Sequence, residues 1–379
     1  MLKISGMQQW LGGHLHNLSG WKTKRKIVVF ESDDWGSIRM PSREVYDIFN
    51  KKGYPVNLRP FEQYDSLESI QDVEALFNVL AGVRDRIGNP CLFTGNTIMT
   101  NPDFRKIRES GFENYHAEIF TDSYKKYKGS ETVFSAFMQG YNERLFKPQY
   151  HGFSHFNYQQ WLTNLCNKSE DDLLSFEYGM VGITSRSDSE RGNQLLVALQ
   201  FRNKAEFQRQ LNDTEKGAEL FKDVFGYSSE SFIAPVYTWN SQIEKTLSTC
   251  GVKYIQGGRY QKEPLLPNGD LISKKHIIGD QNIFDQYYLV RNVFFEPATN
   301  PDRDWVDESL SRIQKAFFWG KPAIISTHRL NYIGRTFPEN SNRNLKLLER
   351  LLKRIISIWP DAEFMSSDEL GNLISMSKK

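Results

Sequence analysis

Cysteine is scarce and scattered. Cys91, Cys166 and Cys250 are the three in the chain, an odd number with no C-x-x-C pair among them. That excludes a disulfide framework and a thiolate metal site as organising features, and a reducing compartment is expected. An excess of one charge is missing too. The 48 Lys and Arg against 46 Asp and Glu leave a net +2, too little for a general field that would attract nucleic acid or an anionic membrane. No window approaches 18 apolar residues, so no helical membrane insertion is expected. Met1 to Trp21 lacks the apolar core and small-residue cleavage site of a signal peptide and carries His14, His16 and Asn17. A cytoplasmic location is therefore the expectation. No repeat or low-complexity linker divides the 379 residues, a length able to bury one large core. Aromatic residues are abundant at 13%; sugar sites use such rings, but core packing accounts for most of them.

The most informative stretch that is present is Glu31-Ser32-Asp33-Asp34-Trp35-Gly36, directly after Ile27-Val28-Val29-Phe30. A β-branched and aromatic run ending in an acidic pair and a Gly predicts a buried strand that closes on a polar turn. Adjacent carboxylates repel, and a cation offsets them. Further β-rich runs are Cys91–Thr94, Gln149–Phe153, Ser231–Ala234, Lys253–Gln256, Tyr287–Phe295, Ala323–Thr327 and Ala362–Met365. Helical patterns lie between them: one opening at Ser42, one within Asp65 to Ile87, then Ser241 to Leu247, Trp305 to Phe318 and Asn342 to Ile358. Strands alternating with helices predict a parallel sheet, and seven or eight of them suit a closed or nearly closed α/β barrel. Residues 112–147 and 167–229 read as insertions on that plan.

Other strand ends carry chemistry as well. His151-Gly-Phe-Ser-His155 holds two of seven histidines, and a spacing of four puts both on one face of a helical turn. Two His and one Asp leave open positions on a metal, which suits catalysis. The same donors form the facial triad of non-haem iron oxygenases, where the extra Asp would have no role. His328 ends the run from Ala323, and Pro235-Val236-Tyr237-Thr238-Trp239 follows the strand at Ser231.

The order of Asp33-Asp34, His151/His155, Pro235–Tyr237, Asp304-Trp305 and His328 resembles the polysaccharide deacetylase family (carbohydrate esterase family four, NodB homology), over residues 25–330. The resemblance implies a distorted (β/α)7-type barrel that removes acetyl groups from N-acetylated sugars. It implies one divalent ion, with zinc expected, on Asp34, His151 and His155. Asp33 would be the general base, His328 the general acid, and the Tyr237 loop a backbone N–H donor to the oxyanion. Trp35, Pro235, Trp239 and Arg329, beside those strand ends, are the candidates for substrate contact. The expected layout is an N-terminal extension, 1–24, then one barrel domain, 25–379, with a saccharide as partner. Hydrolysis of another amide or of an O-acyl ester, or saccharide binding without turnover, is the alternative. Two features depart from the family: the insertions are longer than typical, and its Arg before the Pro-Tyr loop is replaced by Phe232-Ile233-Ala234, leaving Arg39 and Arg329 as candidates to orient the base.

Overall fold

Ile27, Val28, Val29 and Phe30 are wholly buried, as their apolar character demands. In a computed structural model describing residues 14, 17–187 and 193–378, they form the start of the central strand of the main sheet. The strands of that sheet are β1 (Lys26–Trp35), β2 (Phe93–Ile98), β3 (Phe146–Gly152), β4 (Ser231–Ile233), β5 (Tyr254–Gly257), β6 (Tyr287–Val290), β7 (Val293–Phe294), β8 (Ala323–His328) and β9 (Ala362–Met365). All pair in parallel. Their order is β6-β5-β4-β3-β2-β1-β8-β7, with β9 also on β1.

The two edges of that path are one stretch of chain. Only Arg291 and Asn292 separate β6 from β7; Arg291 N donates to Gly257 O at 2.9 Å and Asn292 N to Ile324 O at 3.1 Å. The covalent chain thus closes the sheet into a distorted (β/α) barrel. With β6 and β7 counted as one stave, the ring has seven. β9 pairs with residues 26–29 of β1, while β2 pairs with residues 30–35. It therefore fills the gap at the start of the barrel, and every ligand-capable group described below lies at the other end, where parallel strands finish.

Helices cover the outside. Trp305–Phe318 lies where its apolar periodicity places it, with an Asp304 N-cap. The stretches that read as insertions are in part the barrel's own layer. Val133–Asn142 and Lys204–Phe225 bury Val133, Phe137, Phe221 and Phe225 in the main core. Of the N-terminal extension, residues 1–13, 15 and 16 lie outside the described residues. Trp21 N donates to Ile278 O at 2.9 Å and Thr23 N to Gly320 O at 2.7 Å, so the part next to β1 is docked on the barrel. Among the described residues no helix is long and apolar enough to cross a membrane.

Gly95 on β2 marks a close approach: a Cβ there would overlap the Phe146 ring of β3. Gly95→Ala is expected to destabilise the fold by about 1–3 kcal/mol. A lowered urea midpoint with unchanged slope would show it, and an unmoved midpoint would mean that Phe146 steps aside freely.

Candidate metal and catalytic site

Successive residues of a strand face opposite sides of a sheet, so a regular β1 could not send both Asp33 and Asp34 into the barrel mouth. A bulge removes the conflict. Ser32 sits opposite Gly95 but Trp35 opposite Thr97, one residue more on β1 than on β2. Asp34 takes left-handed backbone, φ 76°. The extra residue re-aims its side chain. β3 repeats the device: Thr97 faces Tyr150 and Ile98 faces Gly152, leaving His151 as the extra residue.

These bulges bring three ligand-type groups together. Asp34 Oδ1 lies 2.8 Å from His155 Nε2 and 3.3 Å from His151 Nε2. One ligand atom from each of the three falls within 4.8 Å of the others. His155 is not on a helical turn with His151, contrary to the spacing argument. β3 ends at Gly152, whose φ of 131° favours glycine, and the next helix begins at Tyr158. A turn, not a helix face, sets the imidazole centroids 5.1 Å apart. His151 donates Nδ1–H to Ile233 O at 2.9 Å, which directs the lone pair of Nε2 toward Asp34.

The donor set fits a divalent ion. Burial pushes His155 down to about 4 against the pull of Asp34, so the ring is neutral at pH 7 as a ligand must be. Burial opposes ionisation of Asp34 as well, yet both imidazoles and Arg39 hold its carboxyl well below the usual range. A buried carboxylate of this kind needs a cation. Arg39 Nη2 stands 3.6 Å from Asp34 Oδ2.

Asp33 belongs to a different cluster. Arg291, from the two-residue link between β6 and β7, donates Nη1–H to Asp33 Oδ2 and Nη2–H to Oδ1, both at 2.7 Å. Its Nε–H goes to Glu31 Oε2 at 2.6 Å. Glu31 and Asp33 are two apart on β1 and share the interior face, so one guanidinium serves both. Asn96 adds a 2.7 Å donor to Asp33 Oδ1 and a 2.9 Å donor to Gln256 Oε1. Burial raises the Asp33 carboxyl but the Arg291 charge and hydrogen bonds prevail, bringing it down to about 2. For Glu31 burial wins and its pKa rises. The guanidinium beside Asp33, expected from Arg39 or Arg329, comes from Arg291.

The register of β1 on β8 places Asp33 directly across from His328. His328 Nε2 lies 3.7 Å from Asp33 Oδ2, and its Nδ1 lies 2.6 Å from Glu296 Oε1. Burial opposes the charged ring, but Glu296 and Asp33 raise it to about 10. Glu296 carries the same kind of sequence signal as the acidic pair, a carboxylate just past an apolar strand run.

No family model matches the chain. No curated protein matches it. Among solved structures, a protein of Mycobacterium smegmatis described as a polysaccharide deacetylase aligns over 95% of this chain and 94% of its own, at 9% identity and TM-score 0.43. A family 4 carbohydrate esterase of Streptomyces lividans aligns over 93% of this chain and 96% of its own, at 9% identity and TM-score 0.35. A glycoside hydrolase/deacetylase of Parabacteroides distasonis aligns over 94% and 72%, at 11% identity and TM-score 0.48. At these values the alignments carry no argument about chemistry, which rests on the residues above.

The remaining sequence candidates are corrected by their surroundings. Trp35 is 1% exposed, donates to Ser32 Oγ at 3.0 Å and packs edge-on to Phe137 and Phe146. Trp239 is equally buried, with its indole N–H on Glu244 at 2.9 Å. Both rings are part of the main hydrophobic core. Arg329 is wholly buried between Asp65, Glu68 and the Ser37 carbonyl. Pro235 is buried beside Gly152. Asp304 is the helix cap and Trp305 a core residue. Val236 and Tyr237 have φ of 54° and 52°, strained backbone of the kind found at sites. The Tyr237 N–H, however, turns back to Ala234 O at 3.1 Å, so it is not a free oxyanion donor in this conformation. Its hydroxyl accepts from Arg291 Nη1 at 3.1 Å.

Proposed function

We propose that the protein is a metal-dependent hydrolase removing an acetyl group from an N-acetylated saccharide. The division of the acidic pair carries this reading: Asp34 joins two imidazoles, while Asp33 stays outside that set, ionised and facing His328. A divalent ion held by Asp34, His151 and His155 would supply Lewis acidity and lower the pKa of a bound water. Asp33 accepts the proton of the attacking water, and Arg291 keeps that carboxylate ionised and aimed. His328, protonated and oriented by Glu296, gives its Nε2 proton to the nitrogen as the C–N bond breaks. Tyr237 positions Arg291.

Acetate release from a panel of N-acetylated saccharides after metal loading tests the reading; metal and sugar binding without release would reduce the protein to a binding module. A second measurement isolates the acid. Glu296→Gln removes the carboxylate that raises His328 to about 10. The imidazolium is then lost at lower pH, and the alkaline limb of kcat/KM should shift down by about one pH unit or more. A limb that stays in place removes His328 from the acid role.

A further inference from the structure

We infer that Arg39 is a displaceable counter-ion of the metal site, with a second seat prepared for it at Glu62. The inference rests on the metal reading above. Arg39 now makes three polar contacts: Nε to Asp65 Oδ2 at 3.2 Å, Nη2 to His155 Nδ1 at 2.9 Å and Nη2 to Asp34 Oδ2 at 3.6 Å. It stands where a dication on Asp34 would repel it at short range, in a buried place where screening is weak. The His155 contact conflicts as well. A ring ligating through Nε2 carries its proton on Nδ1 and seeks an acceptor there, and a guanidinium has only donors.

The structure offers a place to go. Arg39 and Glu62 line one pocket, together with Ile38, Phe61, Met180 and Leu196. Glu62 Oε1 is taken by the N–H and hydroxyl of Thr184, at 2.7 and 2.6 Å. Its Oε2 is buried with no partner among the described residues. An unmet carboxylate oxygen is costly, and a guanidinium fork answers it. Only the side chain has to turn, because the backbone is tied on both sides: Ile38 N donates to Asn101 Oδ1 at 2.9 Å and Met40 N to Asp65 O at 3.1 Å. The move gives up the Arg39 contact to Asp65 Oδ2, while Arg329 Nε continues to donate to Asp65 Oδ1 at 2.9 Å.

Zinc dissociation constants, measured by chelator competition at one pH and ionic strength, test this on the wild type, Arg39→Met, Glu62→Gln and the double variant. Melting temperatures check the fold, and Arg39→Gln substitutes if Arg39→Met does not fold. Arg39→Met should bind zinc about tenfold more tightly or better, having no cation to displace. Glu62→Gln should bind about threefold or more weakly, having lost the second seat, and should change nothing in the Arg39→Met background. Unchanged or weaker binding by Arg39→Met overturns the inference, and so does a Glu62→Gln effect that persists in the double variant. Zinc binding by Arg39→Met but not by the wild type overturns the inference, because Arg39 is then not displaced, and removes metal-dependent catalysis as well. Binding by neither overturns both.

Discussion

Asp33→Asn is expected to retain about one divalent ion per chain and to lose about 10²–10⁴-fold in kcat, whereas Asp34→Asn and His151→Ala lose ion and turnover together. The contrast follows from geometry. Asp34 Oδ1 is within 2.8 and 3.3 Å of two imidazole nitrogens. Both Asp33 oxygens are instead engaged by Arg291. An amide at residue 33 preserves size and burial but cannot accept the water's proton. It also places an NH2 group against Arg291, so its oxygen orientation is set by the guanidinium. Elemental analysis beside acetate release separates the outcomes. Normal turnover by Asp33→Asn would sink the base assignment; loss of the ion from that variant would make Asp33 a ligand.

The second large effect is on stability. Arg291→Met leaves Glu31 and Asp33, 0% and 4% exposed, without their shared cation. Removing one partner of a buried ionic cluster costs about 3–5 kcal/mol, because the charges left behind stay desolvated. The pH dependence has a definite sign. In the wild type Asp33 has a folded pKa depressed to about 2, so its contribution is present above the unfolded value near 4 and fades as pH falls toward 2. In the variant both carboxylates have raised folded pKa values, so stability is retained below the unfolded value and lost as pH rises through the folded ones. The deficit should therefore be smaller at about pH 5 than at about pH 8. Urea unfolding at the two pH values checks it. A deficit below about 1 kcal/mol, or one that grows on acidification, would mean that the cluster is solvated or rearranged.

Much of the architecture was legible because it depends on local rules. The strand at Ala362–Met365 and the helix at Trp305–Phe318 lie at the predicted residues, where apolar alternation and an Asp cap dominate. The acidic pair and the strand-end histidines were legible for the same reason: polar groups at the ends of apolar runs are conspicuous. Arg291 gave a signal too, a charge inside the apolar run Tyr287–Phe295, but its partner Asp33 is 258 residues away. No spacing rule reaches that far. Trp35 and Trp239 were misplaced because an aromatic beside a strand end can face the mouth or the core, and only packing decides.

By itself the sequence determined that parallel strands alternate with helices and that Asp33, Asp34, His151 and His328 stand at strand ends, since hydrophobic period and turn chemistry are local. The tertiary structure alone decided which partners each carboxylate meets. Bulges at Asp34 and His151 break the two-residue period that would have sent neighbours to opposite faces. Closure through Arg291-Asn292 then brings a cation from the far edge of the sheet onto Asp33. Both are properties of register and ring closure, which exist only once the strands have paired.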